Sequence, residues 1–228
     1  MGALFAVVAP VNDEEKFRKN VLASPGLVEA GAAIVPVRGA WCAADAFWNG
    51  QCVIGQAAPW ILFCHQDVFF EAGAGLLIEA ALAKIPESEA RSTVIGFIGL
   101  NAGSTLGGFR IVGHVTDIRD RGNGPIVLDG PETETAESID ELAVILHRDS
   151  KLEIDSALGW HLWATDLCLQ ALDRGGKARV IRAPVIHNTT SPHTLPPDFI
   201  ASSKVLLKKH PARVKIVSLC GVFKPGGN

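Results

Sequence analysis

Short apolar runs separated by polar, turn-forming segments alternate with amphipathic stretches along this chain of 228 residues. Phe5 to Val8 reads as a buried strand, because a short, unbroken apolar run suits a strand covered on both faces. Asn12 then suits a helix N-cap, and Glu15 three residues on completes something close to a capping box. Phe17 and Val21 line one face of the following helix, which ends near Ser24-Pro25-Gly26. Ala32 to Val37 predicts a second strand, Ala43 to Gly50 a helical segment, and Trp60 to Cys64 a third strand. This β-α-β-α-β order implies parallel strands, right-handed crossovers and helices on both faces of a mostly parallel central sheet.

The second half is more broken. Leu76 to Ile85 predicts a helix, and Val94 to Leu100, Phe109 to Val115 and Leu142 to Leu146 predict strands. Gly103, Gly107 and Gly108 and the segment from Asp117 to Gly124 punctuate the chain between them, and acidic Pro131 to Thr135 reads as a mobile loop. Trp160 to Arg174 predicts a helix closed by Gly175-Gly176, Arg179 to Ile186 a strand, and Phe199 to His210 a basic amphipathic helix. The expectation is one α/β domain over residues 1–228, with two halves that share a sheet and meet near residue 100.

Composition narrows the class. Hydrophobic residues at 48% and charged residues at 20% exclude global disorder, and a net charge of -3 gives no footprint for nucleic acid. The five cysteines have no CxxC spacing and read as reduced, so a cytoplasmic location is expected. No apolar run approaches the roughly 18 residues of a membrane span, and Met1 to Phe5 lacks a signal peptide's basic start.

Candidate chemistry begins where the third strand stops. Ile61 to Cys64 runs straight into His65-Gln66-Asp67, at the strand end where open α/β sheets bind ligands. If the strand persists, His65 and Asp67 point one way and Gln66 the other. Alone, such a pair more often marks a satisfied histidine and a capping aspartate at a strand-to-loop turn. The pattern recurs, however: His187 follows the apolar run Val180 to Ile186, and Asp166 lies on the preceding helix. Convergence of the four would suit a divalent cation and the anion it holds.

Five motifs in register resemble glycosyltransferases of the family 2-like group with the GT-A (nucleotide-diphospho-sugar transferase) fold, most closely a subgroup related to a streptomycin-biosynthesis protein. Phe5 to Asn12 resembles the first nucleotide-binding strand, and Ala43 to Gly50 a small-residue helix. His65-Gln66-Asp67 stands in place of the Asp-x-Asp motif. Gly159 to Leu167 resembles the acceptor-side segment, and Val185 to Asn188 the strand-terminal histidine. The resemblance implies a nucleotide-binding half over about 1–100 and an acceptor-side half over about 101–228. It implies Asp67 and His187 as ligands of Mn²⁺ or Mg²⁺, and Asp166 as the general base of an inverting transfer to an acceptor hydroxyl. Pro10, Val11, Asn12, Arg38, Asn49, His65 and Gln66 would contact the nucleotide-diphosphate sugar, His65 through ribose or phosphate. Trp160 and His161 would form an acceptor platform. A non-catalytic nucleotide- or sugar-binding module of the same fold stays open, because His65 replaces an aspartate. A sugar nucleotidyltransferase is less well matched, since Ala9-Pro10-Val11-Asn12-Asp13 lacks glycines and lysine.

Overall fold

A computed structural model describes residues 3–102, 108–118, 124–189 and 195–224. Gly103, Gly107, Thr190, Ser191 and His193 lie outside them. In chain order the first half holds β1 (Phe5–Val11), α1 (Glu14–Lys19), α2 (Pro25–Glu29), β2 (Ile34–Arg38), α3 (Ala43–Ile54), β3 (Trp60–Cys64), β4 (Val68–Phe70), α4 (Ala74–Leu82), α5 (Glu87–Ala90) and β5 (Thr93–Gly96). The rest holds β6 (Ile98–Ala102), β7 (Phe109–Asp117), β8 (Ile126–Asp129), β9 (Ser138–Ile139), β10 (Ala143–His147), α6 (Trp163–Asp173), β11 (Lys177–Val180), β12 (Val185–His187), α7 (Pro197–Lys209), β13 (Ile216–Ser218) and β14 (Gly221–Phe223).

The central sheet has the order β11-β5-β10-β3-β1-β2, parallel throughout except for β10, which runs antiparallel to both neighbours. Its strands read as unbroken apolar runs because both faces are covered. Phe5, Val7 and Ala9 enter one buried cluster with α1, α2 and α4 residues such as Phe17, Leu27 and Ile78. Ala6 and Val8 enter the other, with Ala46 of α3, Leu167 of α6 and Leu206 of α7. Residues from both sides of position 100 contribute to each cluster. Gly50 lets α3 lie close on β1, since a Cβ there would fall 2.3 Å from Val8 Cγ1. Gly50→Ala is therefore expected to cost about 1–3 kcal/mol by overpacking, read as a lower midpoint of chemical unfolding.

A second sheet, β4-β12-β7-β6-β9 with β8 beside β7, is not legible in the sequence and comes from strands that change partners. The run Val94 to Leu100 is two strands, not one: β5 ends at Gly96 in the central sheet and β6 starts at Ile98 in the second. Arg179 to Ile186 likewise divides, because Ala183-Pro184 interrupts the ladder between β11 and β12. Pro131 to Thr135 is anchored rather than loose. Thr133 and Thr135 bridge to Val180 and Ala178, and Glu134 pairs with Arg179 and Lys177. Asp13, not Asn12, caps α1, accepting from Lys16 N at 3.0 Å. Helix α6 starts at Trp163 rather than Trp160, because Leu162 holds a left-handed φ of 63°.

Candidate metal and nucleotide site

The short strand β4 decides the site. It pairs antiparallel with β12 in a register that puts Val68 opposite His187. Asp67 immediately precedes Val68, so the backbone ladder carries its carboxylate to the imidazole 120 positions away in the chain. Asn188 N donates to Asp67 O at 2.8 Å and locks that register. On the other side β12 runs parallel to β7, with His187 beside Asp117.

Asp67 Oδ1 lies 3.5 Å from His187 Nε2, and Asp117 Oδ1 lies 3.5 Å from His187 Nδ1. Asp67 Oδ1 is buried and has no hydrogen-bond partner among the described residues. His65 completes a group of three whose potential ligand atoms all lie within 4.8 Å of one another. Burial lowers the His65 pKa, and the neighbouring His187 lowers it further. Burial opposes charge on His187 as well, but Asp117 and Asp67 overcome it and raise the imidazole to about 9. Burial likewise raises Asp67, yet His187 holds it below the usual carboxylate range. These donors fit a divalent cation. A buried carboxylate oxygen lacks a partner, and the carboxylate behind the second imidazole orients it, a common support for metal-bound histidine.

His65 and Asp67 share a side although β3 ends at Cys64, because residues 65–67 form a turn between β3 and β4. Gln66 is consumed elsewhere. Its Oε1 accepts from Asn12 N at 3.0 Å and Asp13 N at 2.9 Å, and its Nε2 donates to Asn12 Oδ1 at 2.5 Å. That bridge fixes the loop after β1 beside the cluster. A cavity of about 350 Å³ opens there, lined by Pro10, Val11, Asn12, His65, Gln66 and Asp67 together with Val37, Gly39, Ala40 and Trp160. Trp160 reaches it because Gly159 and Leu162 both adopt left-handed φ, and Gly159 O accepts from Ala43 N at 3.1 Å.

Four expected site residues lie elsewhere. Arg38 pairs with Glu14 through its guanidinium on an exposed surface, while its neighbours Val37 and Gly39 line the cavity. Asn49 is exposed on α3 and donates to Asp45 at 3.0 Å. Asp166 is fully buried, and its two carboxylate oxygens take Gln170 Nε2 at 2.7 Å, Lys209 Nζ at 2.8 Å and His210 Nε2 at 2.7 Å. A carboxylate saturated by three donors between α6 and α7 is a structural clamp, not a base open to an acceptor. His161, half-buried, lies tilted against Phe199 with ring centroids 5.4 Å apart and faces Asp198 at 3.3 Å, away from the cavity lining.

One further carboxylate, Asp117, joins the site, and a second, Glu141, lies buried at the start of α6. Asp117 ends a strand as His187 does, so the same strand-end rule finds it in the sequence. Glu141 accepts a hydrogen bond from Leu162 N at the start of α6, and burial together with the charge of Asp140 raises its carboxyl to about 8. Asp140 in turn exerts its field on both His65 and His187.

No family model matches the chain. A protein of Fuscovulum blasticum described as ATP synthase subunits region ORF 6 is 30% identical over 141 residues, covering 59% of this chain and 53% of that protein. The chain thus spans about half the length of that relative. Two solved structures resemble it across most of its length. The GalNAc-T7 structure with UDP, GalNAc and Mn2+ is 9% identical, with 90% of this chain and 48% of that chain covered and a TM-score of 0.55. TarS of S. aureus is 12% identical, with 92% and 39% covered and a TM-score of 0.50. Among the described residues no helix is long and apolar enough to cross a membrane. The chain has the α/β fold of the GT-A glycosyltransferases.

Proposed function

We propose that this chain is a nucleotide-sugar-dependent glycosyltransferase that binds its donor in the cavity between Pro10–Asn12 and His65–Asp67. The observation that carries the reading is the meeting of Asp67 and His187, 3.5 Å apart, beside that cavity. Asp67 and His187 would hold Mn²⁺ or Mg²⁺, which when bound stabilises the charge that grows on a departing diphosphate. Pro10, Val11 and Asn12 would seat the base and ribose, on a loop that Gln66 holds rigid. Trp160 offers a flat face at the cavity wall for a sugar, with His161 next to it in the chain. An acceptor hydroxyl attacking opposite the diphosphate inverts the anomeric centre. The hydroxyl proton needs a carboxylate acceptor, and Asp166, the base the resemblance implies, would have to be freed of Lys209 and His210 to take it.

The reading extends to the whole chain as one unit, its first half for the nucleotide and its second for the acceptor. Affiliation with the streptomycin-type subgroup rests on the five sequence motifs. A cytosolic location belongs to the same reading, as the spacing of the five cysteines implies. Turnover distinguishes an enzyme from a binding module of the same fold. Incubated with a panel of nucleotide-diphosphate sugars and simple hydroxyl acceptors, the protein is expected to release nucleoside diphosphate from one donor in Mn²⁺ and not in chelator. Binding of a nucleotide without release from any donor would leave a non-catalytic module.

A further inference from the structure

We infer that His65 is itself a ligand of the cation, so that the centre is a two-imidazole, one-carboxylate site that selects first-row transition ions over Mg²⁺ and Ca²⁺. This rests on the donor-site reading above and refines it, since the aspartate normally expected at this position would favour hard ions. His65 is placed by its backbone: its N–H donates to Leu142 O at 2.8 Å, and its carbonyl accepts from Val68 N at 3.3 Å. The turn thereby holds residues 65 and 67 toward His187 while Gln66 is tied to Asn12 and Asp13. The His65 and His187 rings stand with centroids 5.9 Å apart and planes at 53°, so they do not stack face to face.

No described residue hydrogen-bonds either ring nitrogen of His65, which leaves a lone pair available within the three-residue group. Ligands around a small divalent cation sit at about 2.0–2.2 Å from it, hence roughly 3–4 Å from one another. The group, with its atoms within 4.8 Å, closes to that spacing by side-chain adjustments of about an ångström. Imidazole suits Fe²⁺ and Zn²⁺, affinity for nitrogen donors rises from Mn²⁺ through Fe²⁺ to Co²⁺, and Mg²⁺ and Ca²⁺ prefer oxygen. Three protein ligands also leave positions open for diphosphate oxygens. Replacing a carboxylate by a neutral ring removes one negative charge, so the loaded centre presents more positive charge to the donor.

The test uses the metal ions alone. Affinities for Mn²⁺, Co²⁺ and Mg²⁺ are measured by calorimetry on the wild-type chain, His65→Asp, His65→Gln and Asp67→Ala, with melting curves to verify folding. The wild type is expected to prefer Co²⁺ over Mg²⁺ by about a hundredfold or more, and His65→Asp to narrow that ratio at least about tenfold. His65→Gln should weaken Co²⁺ binding and change the visible absorption of the Co²⁺ complex. If Asp67→Ala abolishes binding while His65→Asp leaves the ion preference and the Co²⁺ spectrum unchanged, His65 is not a ligand and the donor site stands without it. If no variant and not the wild type binds any of the three ions, even with nucleoside diphosphate present, both readings fail.

Discussion

Asp166→Ala is expected to lower the stability of the whole protein rather than to remove turnover selectively. Asp166 is fully buried, and its loss takes an acceptor from buried Gln170 and His210 and from Lys209, which keep Glu153 O at 2.8 Å, Asp173 at 3.6 Å and Asp155 at 2.9 Å respectively. Removing one partner of a buried ionic network costs about 3–5 kcal/mol, because the remaining groups stay desolvated with less compensation. Lys209 is partly exposed and recovers water, so its share of that cost is smaller. At roughly 2–4 °C per kcal/mol for a chain of this size, the melting temperature should fall by about 10 °C. Helix α7 should loosen first, seen as faster amide exchange over Pro197–Lys209. Unchanged melting together with lost transfer would restore Asp166 as the base.

Asp67→Ala should do the opposite. Its Oδ1 is a buried acceptor with no hydrogen-bond partner among the described residues, so deleting the carboxylate removes a desolvation penalty as well as an ion pair. His187 keeps Asp117 at 3.5 Å and remains seated. The metal-free protein is therefore expected to melt within about 1 kcal/mol of the wild type. Cation-dependent nucleotide binding, by contrast, should weaken at least about a hundredfold, more than the loss of a supporting residue usually causes. A side chain that costs nothing to remove from the fold yet abolishes ligand binding is one the fold carries for function.

The sequence made the covered central sheet legible because parallel strands buried on both faces leave continuous apolar runs such as Phe5 to Ala9 and Ile61 to Cys64. It concealed the second sheet for the same reason. Val94 to Leu100 carries no polar break, and Gly96 is a weak mark for the change of partner at Phe97. His65, Asp67 and His187 were legible as polar residues at strand ends. Their meeting is implied by the resemblance and not by the local pattern, since it depends on β4, a strand of three residues too short to show a period. The resemblance implies Asp166 as the base, but helical spacing does not show that its face meets α7. Arg38 was misread by one position: its neighbours Val37 and Gly39 line the cavity, and small residues carry no chemical signal.

The most direct measurement is a calorimetric titration of nucleoside diphosphates into the wild-type chain and His187→Ala, each in Mn²⁺ and in chelator. Saturable binding by the wild type in Mn²⁺, lost both in chelator and in His187→Ala, is the expected result. Equal affinity in all four conditions would mean that Asp67 and His187 hold no cation for a nucleotide, and the proposed donor site would be wrong.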